Sequence, residues 1–304
     1  MATPQAGIFA LGTRTHHHLE FDLRPGADSA DVIEATARLR EPHVTSGGSN
    51  LVIGFGADLW RRLSATPPPD LGPFQAVSGL AGNVAPSTQH DLWIWIHGTG
   101  TDVVLDAAVQ AEAAIAPVAE LVAETACFVY HDSRDLTGFI DGTENPPPTE
   151  AAEVACIGDG HPGAGGSHVM AQRWVHDPRA FGALDEPDQE RVFGRSKADS
   201  VAIPRDVRPV DAHIRRAELL DVDGAERPIY RRSVPYGTVG ERGIYFLGFS
   251  AERERFDGML AQMYGTSGDG IHDRLLDFTT AVTGSYYFAP SIEDLTSIGF
   301  AESA

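Results

Sequence analysis

Asp141 stands in the string Gly138-Phe139-Ile140-Asp141-Gly142-Thr143-Glu144-Asn145-Pro146, whose residue types solve a backbone problem around one acid. Glycine at 138 and 142 permits positive φ or the close approach of a ligand, and Asn-Pro closes the turn. The carboxylate is either presented for proton transfer or bonded to its own backbone as an Asx turn. Glu144 does not make a glycosidase pair with it, because two acids in one turn cannot face each other across a substrate. Arg231 lies in Ile229-Tyr230-Arg231-Arg232-Ser233-Val234-Pro235-Tyr236-Gly237. As a strand, this segment puts Arg231 and Ser233 on one face and Tyr230 and Arg232 on the other, so only one arginine can face a pocket. His16, His17 and His18 fall short of a zinc site, since only two of them share a strand face; an exposed strand or loop is expected there.

The elements that must position these groups alternate between strand and helix. Gly7 to Leu11, Leu19 to Leu23, Leu51 to Phe55 and Leu92 to His97 read as strands. Ser29 to Leu39 reads as a helix started by Asp28 or Ser29 and ended before Pro42, and Val103 to Ala123 as a long alanine-rich helix bent at Pro117. In the second half Val169 to Val175, Ile229 to Val234 and Gly243 to Phe249 read as strands. Pro187 to Phe193, Ala251 to Tyr264 and Asp273 to Phe278 read as helices. Each half fits βαββαβ, the ferredoxin-like unit. The expected fold is α+β: two such subdomains, residues 1–145 and 146–304, with antiparallel sheets and peripheral helices. The boundary falls in the proline- and glycine-rich loop from Asn145 to Gly166, next to Asp141, where a ligand pocket is commonly found. Trp93 and Trp95 share a strand face and belong to a core or interface, and Trp174 is read as packing, with an electron relay to the surface as the alternative.

The 304 residues carry 23 basic against 43 acidic side chains, a formal charge of −20. Such a field opposes phosphate backbones and anionic membranes, so nucleic acid and membrane are not expected partners. No apolar run approaches the ~20 residues needed to span a bilayer. Met1 to Gln5 lack the basic start and apolar core of a secretory signal, and no twin-arginine pair precedes Arg61 and Arg62, so the cytoplasm is the default. Cys127 and Cys156 form neither CxxC nor CxxCH, which indicates no disulfide framework and no covalent c-type haem.

The nine-residue string around Asp141 resembles the signature of the dye-decolourising peroxidases, haem enzymes in which this aspartate lies over the iron. Asp211-Ala212-His213-Ile214-Arg215 is similar to the DAHxR string of the type B members, and Ile229, Arg231, Pro235 and Gly237 match their IxRxxxPxG. Many type B members carry asparagine two positions after that arginine; Ser233 stands here, as in the YfeX-like branch. Phe193-Gly194-Arg195-Ser196-Lys197 and Gly284-Ser285-Tyr286-Tyr287-Phe288-Ala289-Pro290 also resemble family segments, the latter assigned to packing. The resemblance covers most of residues 130 to 300 and is weaker before that.

The resemblance implies a haem peroxidase with non-covalent haem b lodged mainly in the carboxyl-terminal half. His213 would ligate the iron, with Asp277 on its other ring nitrogen. Asp141 would take and return the peroxide proton, and Arg231 would stabilise charge as the O–O bond breaks. Arg195 would approach a propionate, and Gly142, Thr143 and Ser233 would line the haem site. Hydrogen peroxide is the expected oxidant; a ferryl porphyrin-radical intermediate would then oxidise dyes or other small electron donors. Self-association into a homo-oligomer is expected, and the tail Ala301-Glu302-Ser303-Ala304 leaves little room for an encapsulin tag. The competing reading is a haem-handling protein, a carrier, store or deferrochelatase-like iron remover, with incidental peroxidase activity.

Overall fold

The computed structural model describes residues 2–39 and 48–299. The expected helix stop at Pro42 and the tail 300–304 lie outside the described residues. Strand β1 (Thr15–Leu23) shows how the chain is organised, because it is buried on both faces. Leu19 and Phe21 pack under helices α1 (Ser29–Ala37) and α2 (Thr101–Ile115), against Val32, Ala35, Val104 and Ala108. His16, His18 and Glu20 point the other way and are no less buried, at 1%, 1% and 4% exposure. The run His16 to His18 is therefore not the exposed strand or loop expected from its polarity. Its face is covered by the far side of the same sheet, which curls round on itself.

That cover comes from two units of the same topology. In the first, β1, β2 (Ser49–Phe55), β3 (Leu92–Gly98) and β4 (Ala119–Phe128) lie in the order β4-β1-β3-β2, all antiparallel. In the second, β5 (Ser167–His176) precedes the helices α3 (Glu186–Phe193) and α4 (His213–Arg216). Then come β6 (Tyr230–Arg231), β7 (Val234–Gly237) and β8 (Arg242–Ser250), helix α5 (Glu254–Met263), β9 (Thr279–Ala281) and β10 (Ser285–Ala289). The main strands run β10-β5-β8-β7, the same 4-1-3-2 order as the first unit. Both are the expected ferredoxin-like βαββαβ arrangement. The units join edge to edge through Phe288 opposite Phe55 and Cys127 opposite Tyr236, which closes the sheet into a barrel.

Local chemistry sets the element ends. Asp28 caps α1 by accepting the Asp31 N–H at 2.9 Å. The helix expected over Val103 to Ala123 stops at Ile115, two residues before Pro117, and Ala119 onward forms β4, bonded to β1. Tertiary pairing there overrides alanine's helix preference. Residues Ala6–Phe9 form a 3₁₀ turn where a strand was expected. In the second unit Val169, Ala171, Tyr245 and Leu247 fill the barrel, while Met170, Trp174 and Ile244 face outward toward α5. The Asp141 loop lies in the connection between β4 and β5. Among the described residues no helix is long and apolar enough to cross a membrane.

Candidate active site

A cavity of about 330 Å³ opens on the outward face of β5 and β8. Met170, Trp174, Ile244 and Phe246 form its apolar floor, Met259, Leu260 and Met263 of α5 one wall, and the Asp135–Glu144 loop another. His213, Asp141, Arg231, Arg195, Gly142, Thr143 and Ser233 all line it. The sequence thus separates by up to 92 residues groups that the fold brings to one space.

His213 opens α4, and Arg216 at the end of that short helix is buried and holds it in place. Its guanidinium donates to the Gln262 carbonyl at 2.7 Å and pairs with Asp269 at 2.6 Å. Gly194 lets α4 approach closely: it has φ +82°, and a Cβ there would lie 2.4 Å from Ile214 Cγ2 and 3.1 Å from Ala212 Cβ. Nδ1 of His213 is 2.6 Å from Oδ2 of Asp273, a fully buried carboxylate. The other oxygen of Asp273 accepts the Leu275 N–H at 2.9 Å. Backbone bonds from Asp273 to Met263 and from Arg274 to Asp211 fix the acid beside the imidazole. A neutral ring that donates from Nδ1 leaves its lone pair on Nε2, which has no hydrogen-bond partner among the described residues. The expected partner Asp277 is elsewhere: it bonds Nε2 of His272 at 3.1 Å and is absent from the cavity lining. Asp273 caps the 3₁₀ turn that Asp277 ends, and only the capping acid reaches inward.

Asp141 is set by its own loop. Its N–H donates to Ser133 and its Oδ1 accepts the Gly142 N–H at 2.7 Å, an arrangement that needs the positive φ of +77° at Gly142. Burial pushes the Asp141 carboxyl above its ordinary range; the Arg231 guanidinium opposes that and the Asp135 charge adds to it. Asp135, which no motif marked, is also buried and also lines the cavity. Burial works against its ionisation, but the His176 imidazole, 3.0 Å away, and the Thr137 donors outweigh it and bring the carboxyl down to about 2. His176 continues to Thr279 Oγ1 at 2.8 Å.

Arg231 and Ser233 face the cavity together, as strand alternation requires, while Arg232 turns to the barrel side, 5.0 Å over the Trp95 ring. The Asn145 amide grips the Arg231 backbone from both sides, accepting its N–H and donating to its carbonyl, each at 2.8 Å. The Arg231 guanidinium has no hydrogen bond or ion pair among the described residues. Ser233 Oγ accepts the Leu247 N–H at 3.2 Å, which leaves its own O–H to donate. Arg195 is 5% exposed and its terminal nitrogens bond Thr143, Glu144 and Ser200, tying the Asp141 loop to the segment after α3. Arg205 and Arg208 line the cavity beside it.

A flat aromatic macrocycle with carboxylate tails and a central iron fits this set. The floor and α5 wall are apolar, the Arg195, Arg205 and Arg208 charges lie close enough to act on one another, and one oriented imidazole has a nitrogen without a hydrogen-bond partner among the described residues.

The chain matches the family of the Dyp-type peroxidase N-terminal domain over residues 5–128 and that of the C-terminal domain over 132–294. It is 39% identical over 248 residues to a dye-decolorizing peroxidase of Mycolicibacterium paratuberculosis, covering 80% of this chain and 70% of that protein. DyPB of Rhodococcus jostii superposes with a TM-score of 0.89 at 35% identity, covering 98% of each chain. A variant of that protein in complex with haem superposes at 0.87 and 33% identity, covering 98% of this chain and 97% of the other.

Proposed function

This chain belongs to the dye-decolourising peroxidases, and from that premise we propose that it reduces hydrogen peroxide at a haem b held non-covalently in the cavity, with His213 on the iron. One observation carries the reading: the His213 imidazole is fixed through Nδ1 by a buried carboxylate and presents an unpartnered Nε2 in the cavity that Asp141 and Arg231 line. Bound haem would supply the iron and the electrons for O–O cleavage.

The protein's part is proton handling and charge. Asp141 accepts the proton from the proximal peroxide oxygen and returns it to the distal oxygen, which leaves as water. The Arg231 guanidinium, which makes no hydrogen bond or ion pair among the described residues, stabilises negative charge as the bond breaks. The Asp273 carboxylate holds the His213 ring through Nδ1 in the orientation in which Nε2 would ligate the iron. Arg195 and its neighbours Arg205 and Arg208 would hold the haem carboxylates, and the Ser233 hydroxyl would be free to donate to bound peroxide. Dyes or other small donors then supply two electrons in single steps.

A haem carrier or store has no use for an acid and an unpaired guanidinium beside the iron. Purified holoprotein given peroxide and a reducing dye is expected to turn over many times per haem. A protein that stays at one turnover or fewer, and hands intact haem promptly to an acceptor, would be a haem-handling protein.

A further inference from the structure

On the barrel side of the cavity floor lies a second group of ionisable side chains that the peroxide chemistry does not use. Glu20 is 4% exposed and has no ion-pair partner among the described residues. Its Oε1 accepts from Tyr245 Oη at 3.2 Å and its Oε2 from Tyr287 Oη at 2.5 Å. The His18 ring stacks on Tyr245 at 3.8 Å with neither of its nitrogens hydrogen-bonded among the described residues, and Trp93 stacks on Tyr287 at 5.9 Å. Burying a carboxylate is costly, and an apolar side chain would fill this space without that cost. Tyr245 also has a particular address. It sits in β8 between Ile244 and Phe246, both of which line the cavity, so its ring is on the reverse of the same strand.

We propose that Tyr245 and Tyr287, sharing the Glu20 carboxylate, form a proton-coupled redox site that takes up an oxidising equivalent left on the haem by peroxide. The inference rests on the peroxidase reading above. In the step, one electron passes from the Tyr245 phenol to the oxidised cofactor, and the phenolic proton moves along the existing hydrogen bond to Glu20 Oε1. A neutral tyrosyl radical and a protonated Glu20 result. An electron from a small donor, with the same proton returned, restores the phenol. Tyr287, bonded to the other carboxylate oxygen, is the second position at which the radical resides. The geometry suits the task because a phenol loses its proton readily only when oxidised, and here a base is already bonded to it. Burial holds both phenols far above their ordinary range and Glu20 above its own, so the resting site keeps its phenolic protons and the carboxylate is a stronger base than in water.

The test uses the haem-loaded protein mixed with one equivalent of peroxide without a donor, frozen at intervals and read by electron paramagnetic resonance alongside the haem absorption. A tyrosyl signal is expected that narrows in protein grown on ring-deuterated tyrosine and that loses most of its intensity in Tyr245→Phe. Glu20→Gln, which keeps the side-chain shape and removes the base, is expected to lose it as well, and serves if Tyr245→Phe does not fold. Haem that reacts with peroxide while the tyrosyl signal is missing, or unchanged in these variants, overturns the proposal and leaves the peroxidase reading intact. Haem that fails to react with peroxide at all would remove the reading on which both rest.

Discussion

The side-chain amide of Asn145 and the backbone of Arg231 form a closed pair of hydrogen bonds, both 2.8 Å long, between residues 86 positions apart. The last polar residue of the acid loop thereby sets the start of the strand that carries the arginine. Asn145→Ala leaves the Arg231 N–H and carbonyl without these partners and should cost roughly 1–3 kcal/mol of stability. Misplacing the guanidinium should slow the reaction of haem with peroxide by up to about a hundredfold, with haem affinity little changed. Stopped-flow absorption on the loaded variant checks this, and an unaltered rate would mean that the clamp does not position Arg231.

Asp273 and Asp277 are four residues apart, yet only the first touches His213. Asp273→Asn should weaken haem binding by about 10- to 100-fold and raise the ferric–ferrous potential, because the imidazole loses its anionic partner. Asp277→Asn should change neither. Haem titration and spectroelectrochemistry of the two variants separate them.

The raised carboxyl of Asp141 fixes the sign of a pH effect. The ionised form is the base, so the rate of the peroxide step falls as pH drops through a value above the ordinary 3.8. The acid tolerance expected from a free aspartate is narrowed accordingly. Arg231→Ala removes the opposing cation and should move this limb to higher pH; Asp135→Asn removes a like charge and should move it lower. Because the folded protein binds this proton more tightly than the unfolded chain, Asp141 lowers stability progressively as pH rises through that window. Asp141→Asn should therefore melt higher than the parent near neutrality and equal it in strong acid. Profiles of kcat/KM for peroxide and thermal melts at both pH extremes test the two halves.

Much of this site could be read before the fold was known, for physical reasons. Asp141 is framed by glycines that only special backbone requires; strand alternation allowed only one of Arg231 and Arg232 to face a pocket, and the resemblance to IxRxxxPxG picked Arg231. Asp273 could not be told from Asp277, since which acid turns inward depends on the bonds that the Asp273 and Arg274 N–H groups make to the carbonyls of Met263 and of the distant Asp211. Asn145 read as a turn closer because a reciprocal amide pair leaves no trace in spacing. The strands Leu51 to Phe55 and Leu92 to His97 follow from apolar runs. The polar run His16 to His18 misled, because alternation reports two faces and cannot say that the far side of the same closed sheet, not water, covers one of them.

Haem binding to His213→Ala tests the central claim most directly. The parent protein should take up one haem per chain and show a histidine-ligated ferric spectrum that changes at once with one equivalent of peroxide. The variant should lose that spectrum and the rapid peroxide response, and added imidazole should restore both in part. A His213→Ala protein with the parent's spectrum and peroxide rate would contradict the account.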